Sequence, residues 1–143
     1  MIKDKNIKIG VVGLGYVGLP LAVEFGKIFE TVGFDVNLDR IEELVGGFDS
    51  TLEVESDELL MAKMLSYSGE TSAIKDCTIF IVTVPTPIDD HKQPDLRPLE
   101  YASRLIGKIL KKNDIVIYES TVYPGAAEEV CVPILEFHSD LKF

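Results

Sequence analysis

Ile7-Lys8-Ile9-Gly10-Val11-Val12-Gly13-Leu14-Gly15-Tyr16-Val17-Gly18-Leu19-Pro20-Leu21-Ala22 is the stretch whose reading decides the fold. It opens as an apolar, β-type run and passes through three glycines spaced G-x-G-x-x-G. It then takes up a helical pattern, with Val17, Leu21, Phe25 and Ile28 on one face. Each glycine has its own mechanical task. Gly13 makes the tight strand-to-helix turn, Gly15 lets the backbone approach a pyrophosphate, and Gly18 lets the helix pack close to the strand. The helix that follows directs unpaired amides and the positive end of its dipole at that phosphate. Pro20 falls in the first turn, where a missing amide hydrogen costs little.

Glycines also mark ordinary turns, so the flanks matter. A second apolar run, Thr31-Val32-Gly33-Phe34-Asp35-Val36, brings in Asp35, 22 positions after Gly13. That offset suits a carboxylate that accepts both hydroxyls of an adenosine ribose. A plain β-α-β turn is the alternative. A carboxylate there repels a 2′-phosphate, so NAD is expected over NADP. Arg40, in the first turn of the next helix, lies either beside the adenosine or on the surface as a solvated charge.

The rest of the chain alternates strand and helix. After helix A (Val17 to Phe29) and strand two (Thr31 to Val36), Asn37 is placed to cap a helix over Leu38 to Val45, which Gly46-Gly47 stops. The acidic segment Phe48 to Lys63 carries Asp49, Glu53, Glu55, Asp57 and Glu58 without a histidine, and reads as a solvated face with a short helix near Glu58 to Met64. Leu65-Ser66-Tyr67 reads as a short third strand and Thr71 to Asp76 as a helical turn. Thr78 to Val84 is a continuous apolar run of the kind buried on both faces of a parallel sheet. It ends at Pro85-Thr86-Pro87, where ladder pairing must stop. Leu99, Ala102, Ile106 and Ile109 stripe one further helix. Asp114 to Glu119 is the last strand, and a helix from Ala126 is expected to be interrupted at Pro133. The expected fold is an α/β, Rossmann-type doubly wound parallel sheet of order 3-2-1-4-5 in a single domain over residues 1–143. Ligands of such sheets gather at the carboxyl ends of the strands. Gly13 to Gly18, Val84 to Pro87 and Ser120 to Gly125 all fall there.

Composition narrows the function. With 143 residues, 46% hydrophobic and 27% charged, the chain reads as an ordinary globular domain. A formal charge of −10 argues against nucleic acid. No signal-type leader or membrane-length apolar run is seen, so a cytoplasmic protein is expected. Cys77 and Cys131 read as buried, reduced thiols. His91 and His138 have no partner at ligand spacing, so no metal is expected.

With these segments placed, the sequence resembles the N-terminal half of the UDP-glucose/GDP-mannose dehydrogenase family. The resemblance rests on Gly13 to Pro20, on Val82-Thr83-Val84-Pro85-Thr86-Pro87 and on Glu119-Ser120-Thr121-Val122-Tyr123-Pro124-Gly125. Ser50 to Val54, Pro94-Asp95-Leu96 and Ala126 to Val130 bring it nearest the UDP-N-acetylhexosamine 6-dehydrogenases of surface-polysaccharide synthesis. An acidic-Pro-Gly-Leu element common in the UDP-glucose enzymes is absent. The resemblance implies oxidation of a sugar C6 alcohol to a carboxylate with two NAD. A cysteine in a C-terminal half, which would also bind the UDP-sugar, carries the intermediate. It implies cofactor contacts from Tyr16, Val17, Asp35, Arg40, Val84, Thr86 and Thr121, with Thr121 also positioning a catalytic water. By its residues alone, a Thr121 hydroxyl at a strand's carboxyl end either donates to a developing oxyanion or holds a water, or else caps the following helix or satisfies loop amides. A homo-oligomer is expected of the full-length enzyme, and cofactor binding without turnover of this chain alone. UDP-glucose or GDP-mannose oxidation, a β-hydroxyacid dehydrogenase, and a free-standing nucleotide-binding or redox-sensing module are the competing readings.

Overall fold

Alternate residues of the first strand face opposite sides, and both sides are apolar; that alone demands a layer of helices on each face. The structure, a computed structural model that describes residues 7–119 and 125–143, has this arrangement. Five strands run parallel: β1 (Lys8–Val12), β2 (Glu30–Phe34), β3 (Leu65–Ser68), β4 (Ile79–Val82) and β5 (Ile115–Tyr118). Their order is β3-β2-β1-β4-β5, as the alternating sequence pattern predicts. β1 pairs with β2 on one side, Val12 opposite Phe34, and with β4 on the other, Val12 opposite Val82.

Helices α1 (Gly18–Gly26), α2 (Leu38–Val45) and α3 (Ser56–Met61) are followed in the chain by α4 (Arg97–Gly107) and α5 (Val132–Ser139). Ile9, Val11 and Ile81 pack with Leu19, Ala22 and Val23 of α1 in one core. Val12, Phe80 and Val82 pack with Ala102 and Ile106 of α4 and Leu135 of α5 in the other. Burying one such side chain contributes roughly 1.5–3 kcal/mol. The double-sided burial of β4 matches its unbroken apolar run. Edge strand β5 is different, with Ile115 and Ile117 exposed.

Three sequence expectations are corrected. Helix α1 is shorter than Val17 to Phe29, and its buried face is Leu19, Ala22, Val23 and Gly26. Val17 and Ile28 are exposed. The reason is close packing: a Cβ on Gly26 would lie 2.5 Å from the Leu65 Cβ, so the glycine face, not the bulkiest one, turns inward. Pro133 does not interrupt the last helix. It sits in the first turn of α5, where a missing amide is tolerated. A π-helical turn, Ala127–Cys131, leads directly into it. Finally, the acidic segment is not wholly a solvated face, because Asp49 is buried.

Candidate functional site

The turn after β1 is held from three sides. Gly13 donates its amide to the Phe34 carbonyl at 2.8 Å and adopts φ +103°, which a side chain would strain. From β4's end, the Thr83 hydroxyl lies 2.6 Å from the Gly13 carbonyl oxygen and donates to it. Gly18 is packed so tightly that a Cβ there would fall 1.7 Å from the same carbonyl oxygen. Gly15 is the opposite case: a Cβ there would meet nothing within 4 Å. Its backbone therefore faces open space that a ligand can approach.

That space is a cleft of about 770 Å³ at the carboxyl ends of β1, β2 and β4. Gly13, Gly15, Asp35, Arg40 and Val84 all line it, so five of the expected contact residues converge. Tyr16 and Val17 are exposed on the turn beside them. Gly18 is buried behind the turn, which fits its packing task, and Thr86 is half-buried two residues beyond Val84. Thr121 lies outside the described residues, as do Ser120 and Tyr123.

Asp35 follows β2 directly. Its Oδ2 accepts the Leu14 amide and its Oδ1 the Asn37 amide, both at 2.9 Å. Two amides thus fix the carboxylate's orientation, and each oxygen keeps a lone pair for a hydroxyl. Asn37 caps α2 as expected, its side chain accepting from the Asp39 and Arg40 amides. Helix α1 has no side-chain cap, so nothing from a side chain stands over the positive end of its dipole, although the Leu19 amide is already given to the Gly15 carbonyl and Pro20 has none. These features fit a dinucleotide: open backbone at Gly15, an uncapped helix start, and a pinned ribose carboxylate.

Of the two places its position suggested, Arg40 takes the one beside Asp35 in the cleft. It lines the cleft yet is only 8% exposed, so it is not a solvated charge. Its Nε donates to the Leu14 carbonyl at 2.8 Å, gripping the glycine turn from behind. Its Nη1 donates to Asp49 at 2.7 Å and also to Glu43. Its Nη2 is enclosed and has no hydrogen-bond partner among the described residues.

Asp49 is the hub that the sequence reading missed. Besides Arg40, it accepts the Thr51 amide and hydroxyl and the Glu53 and Val54 amides. Burial pushes its pKa up, but the bonds from Thr51 and Arg40, then the Val54 and Thr51 amides, outweigh that and bring it down to about 2. For Arg40, burial alone would lower the pKa, and the bonds to Asp49 and Glu43 raise it on balance. The local signal was Asp-Ser-Thr, where a short carboxylate turns back onto the amides that follow it.

The opposite wall is lined by Asp95, Arg97, Pro98 and Tyr101, none of them singled out as contacts from sequence. Arg97 bonds Asp95 through Nε at 2.9 Å and Nη2 at 2.7 Å, and its side chain is 86% exposed. The bonds from the Arg97 guanidinium and amide hold Asp95 at a pKa of about 2.

Both cysteines are buried, Cys77 at 0% exposure and Cys131 at 1%. Burial pushes the Cys77 thiol up to about 11 and raises that of Cys131 as well. Neither is an activated nucleophile.

Residues 7–143 match the NAD binding domain of the UDP-glucose/GDP-mannose dehydrogenase family. A UDP-N-acetyl-D-glucosamine 6-dehydrogenase of Pseudomonas aeruginosa is 65% identical over 97% of this chain and 33% of its own length. A protein of the same name from Salmonella typhi is 56% identical over 96% of this chain and 32% of its own length. Among solved structures, a ternary complex of a P. aeruginosa GDP-mannose dehydrogenase superposes with a TM-score of 0.88 at 28% identity. It covers 94% of this chain and 33% of that one. The chain therefore spans about a third of the length of the curated relatives it matches.

Proposed function

This chain belongs to the UDP-glucose/GDP-mannose dehydrogenase family, within its NAD-binding domain, and on that footing we propose that it is the cofactor-holding part of a nucleotide-sugar 6-dehydrogenase acting on a UDP-N-acetylhexosamine. The observation that carries the reading is Asp35 pinned by Leu14 and Asn37 beside the open Gly15 backbone, on a chain 65% identical to a UDP-N-acetyl-D-glucosamine 6-dehydrogenase.

In this reading the bound NAD supplies a hydride acceptor, and conversion of the C6 alcohol to a carboxylate with one water consumes two of them. The chain's residues bind and orient. The open backbone of the glycine turn at Gly15, at the positive end of the α1 dipole, receives the pyrophosphate. The Asp35 carboxylate accepts both ribose hydroxyls. Val84 packs against the cofactor, and Tyr16, Val17 and Thr86 complete its contacts. Thr121 contacts the cofactor and holds the water, as the family resemblance implies. The covalent step belongs to a cysteine outside this chain, consistent with the burial of Cys77 and Cys131. The UDP-sugar, a homo-oligomeric assembly, a cytoplasmic site of action and a role in surface-polysaccharide precursor synthesis all belong to the proposed full-length enzyme. Among the described residues, no helix is long and apolar enough to cross a membrane.

The test pairs calorimetric titration of NAD into this chain with an NADH-production assay on UDP-N-acetylglucosamine, UDP-N-acetylgalactosamine and UDP-glucose. Cofactor binding without turnover is expected here, and turnover favouring an N-acetylated sugar from the full-length protein. Turnover by this chain alone, or a full-length preference for UDP-glucose, overturns the assignment.

A further inference from the structure

A ribose held on Asp35 carries its base at C1′ of the same sugar, so the base must lie a few bonds away within the same cleft. On Asp35's own wall the next residue, Val36, is exposed and lines that space. The facing wall is the start of α4, where Arg97 and Tyr101 both line the cleft. They stand four residues apart, hence on one side of the helix. Tyr101 is exposed, an aromatic ring half in water at the edge of an apolar space.

Arg97 is exposed as well, but it is not a free charge. Asp95 accepts its Nε at 2.9 Å and its Nη2 at 2.7 Å. That carboxylate is tethered in turn: its Oδ1 accepts the Arg97 amide at 3.0 Å, and the Asp95 amide donates to the Pro87 carbonyl at 2.7 Å. The guanidinium therefore swings about a held carboxylate that offsets its charge, which makes the pair a poor receptor for phosphate. Hydrogen bonds in a two-point pair of this kind run in the guanidinium plane. Both faces of the plane stay clear of them, and a delocalised, weakly hydrated plane stacks well on rings.

We propose that Arg97 and Tyr101 form a stacking wall for the adenine ring, with the Arg97 guanidinium plane and the Tyr101 ring against one face of the purine and Val36 against the other. Asp95 is the positioning residue that aims Arg97. The proposal rests on the NAD-binding reading above and deepens it, since that reading accounts for the pyrophosphate and the ribose and leaves the base without named contacts. It also gives the Asp95–Arg97 pair a task that its small expected contribution to stability does not explain.

The experiment titrates ADP-ribose, which carries the adenine without the nicotinamide, into wild type, Tyr101→Ala, Tyr101→Phe, Arg97→Ala and Arg97→Lys. Tyr101→Ala should weaken binding roughly tenfold and Arg97→Ala roughly threefold, the scales of a base stacked on an aromatic ring and on an exposed cation. Tyr101→Phe keeps the ring and should bind as wild type does. Arg97→Lys keeps the charge and loses the plane, so it should be as weak as Arg97→Ala. Because the chain has no tryptophan, Tyr101→Trp places a single reporter at the wall. Its fluorescence should be quenched by ADP-ribose and by AMP, and left unchanged by ribose 5-phosphate, a readout that a purely structural role for residue 101 does not produce. Unchanged affinity in both alanine variants, full rescue by Arg97→Lys, or saturable ADP-ribose binding to Tyr101→Trp without quenching overturns the proposal. Failure of wild type to bind ADP-ribose at all strikes the NAD reading of the cleft, and the proposal with it.

Discussion

The two walls of the cleft each carry an arginine–carboxylate pair, and both aspartates have a pKa of about 2, Asp49 through the Thr51 hydroxyl as well as Arg40 and Asp95 through Arg97. The physical situations are unlike. Arg40 and Asp49 are buried, joined to the glycine turn on one side and to the loop after α2 on the other. Arg97 and Asp95 make a bidentate pair of neighbouring residues at the surface, and Arg97 stands 86% exposed. A buried pair whose remaining lone pairs are met by amides sets the shape around it, whereas an exposed pair is screened and mobile. One wall is bolted, then, and the other is adjustable. A dinucleotide site can use both: a fixed surface to select phosphate and ribose, and a compliant one that accepts a ring without a fixed geometry.

The sharpest way to break the bolted wall is Gly18→Ala. A Cβ there would meet the Gly13 carbonyl oxygen at 1.7 Å and the Thr83 hydroxyl at 2.4 Å, so the turn and helix must separate. Thermal or urea unfolding should show a loss of more than about 4 kcal/mol, or no folded protein. A variant as stable as wild type would mean the turn is not packed as described.

Next comes Asp49→Asn. It leaves Arg40 short of a charge and turns an amide donor toward the Glu53 and Val54 amides, at a cost of about 3 kcal/mol. The same lock should appear in pH titration. Asp49's folded pKa lies below its unfolded value, so the stabilisation is complete above about pH 4 and is lost as the pH falls toward 2. Its size is on the order of 2 kcal/mol. In Asp49→Asn that part of the acid limb should flatten; an unaltered acid transition would place the sensitivity elsewhere.

Arg97→Ala tests the adjustable wall and should do least. With its charge pair at the surface, the melting temperature should move by no more than about 2 °C. A drop comparable to that of Asp49→Asn would erase the distinction between the walls.

How much of this was legible beforehand follows the range of the interactions. The strand order, the three glycines and Asp35 were readable because local spacing sets them: a turn, a close approach and a strand end occur within a few residues of one another. Asn37 as a cap was readable for the same reason. The buried face of α1 was misjudged because it is set by Leu65 across the sheet, not by the helix's own bulky residues. Asp49 was taken for one more solvated carboxylate, since sequence shows its charge but not that Arg40 lies within reach. Within the run Thr78 to Val84 no local pattern marks out Thr83, although its hydroxyl ties the end of β4 to the Gly13 turn across 70 residues. Tertiary partners of this kind leave little trace in local pattern.

The central claim is that Asp35, pinned by two amides beside the open Gly15 backbone, makes this cleft a site for NAD. The most direct measurement is calorimetric titration of NAD and NADP into wild type and Asp35→Asn, with melting temperatures recorded because the amide also loses one of the two backbone bonds to Leu14 and Asn37. Wild type should bind NAD at least about tenfold more tightly than NADP. Asp35→Asn should weaken NAD and narrow that gap. NADP binding as tightly as NAD to wild type, or a gap unchanged in a folded Asp35→Asn, would contradict the account.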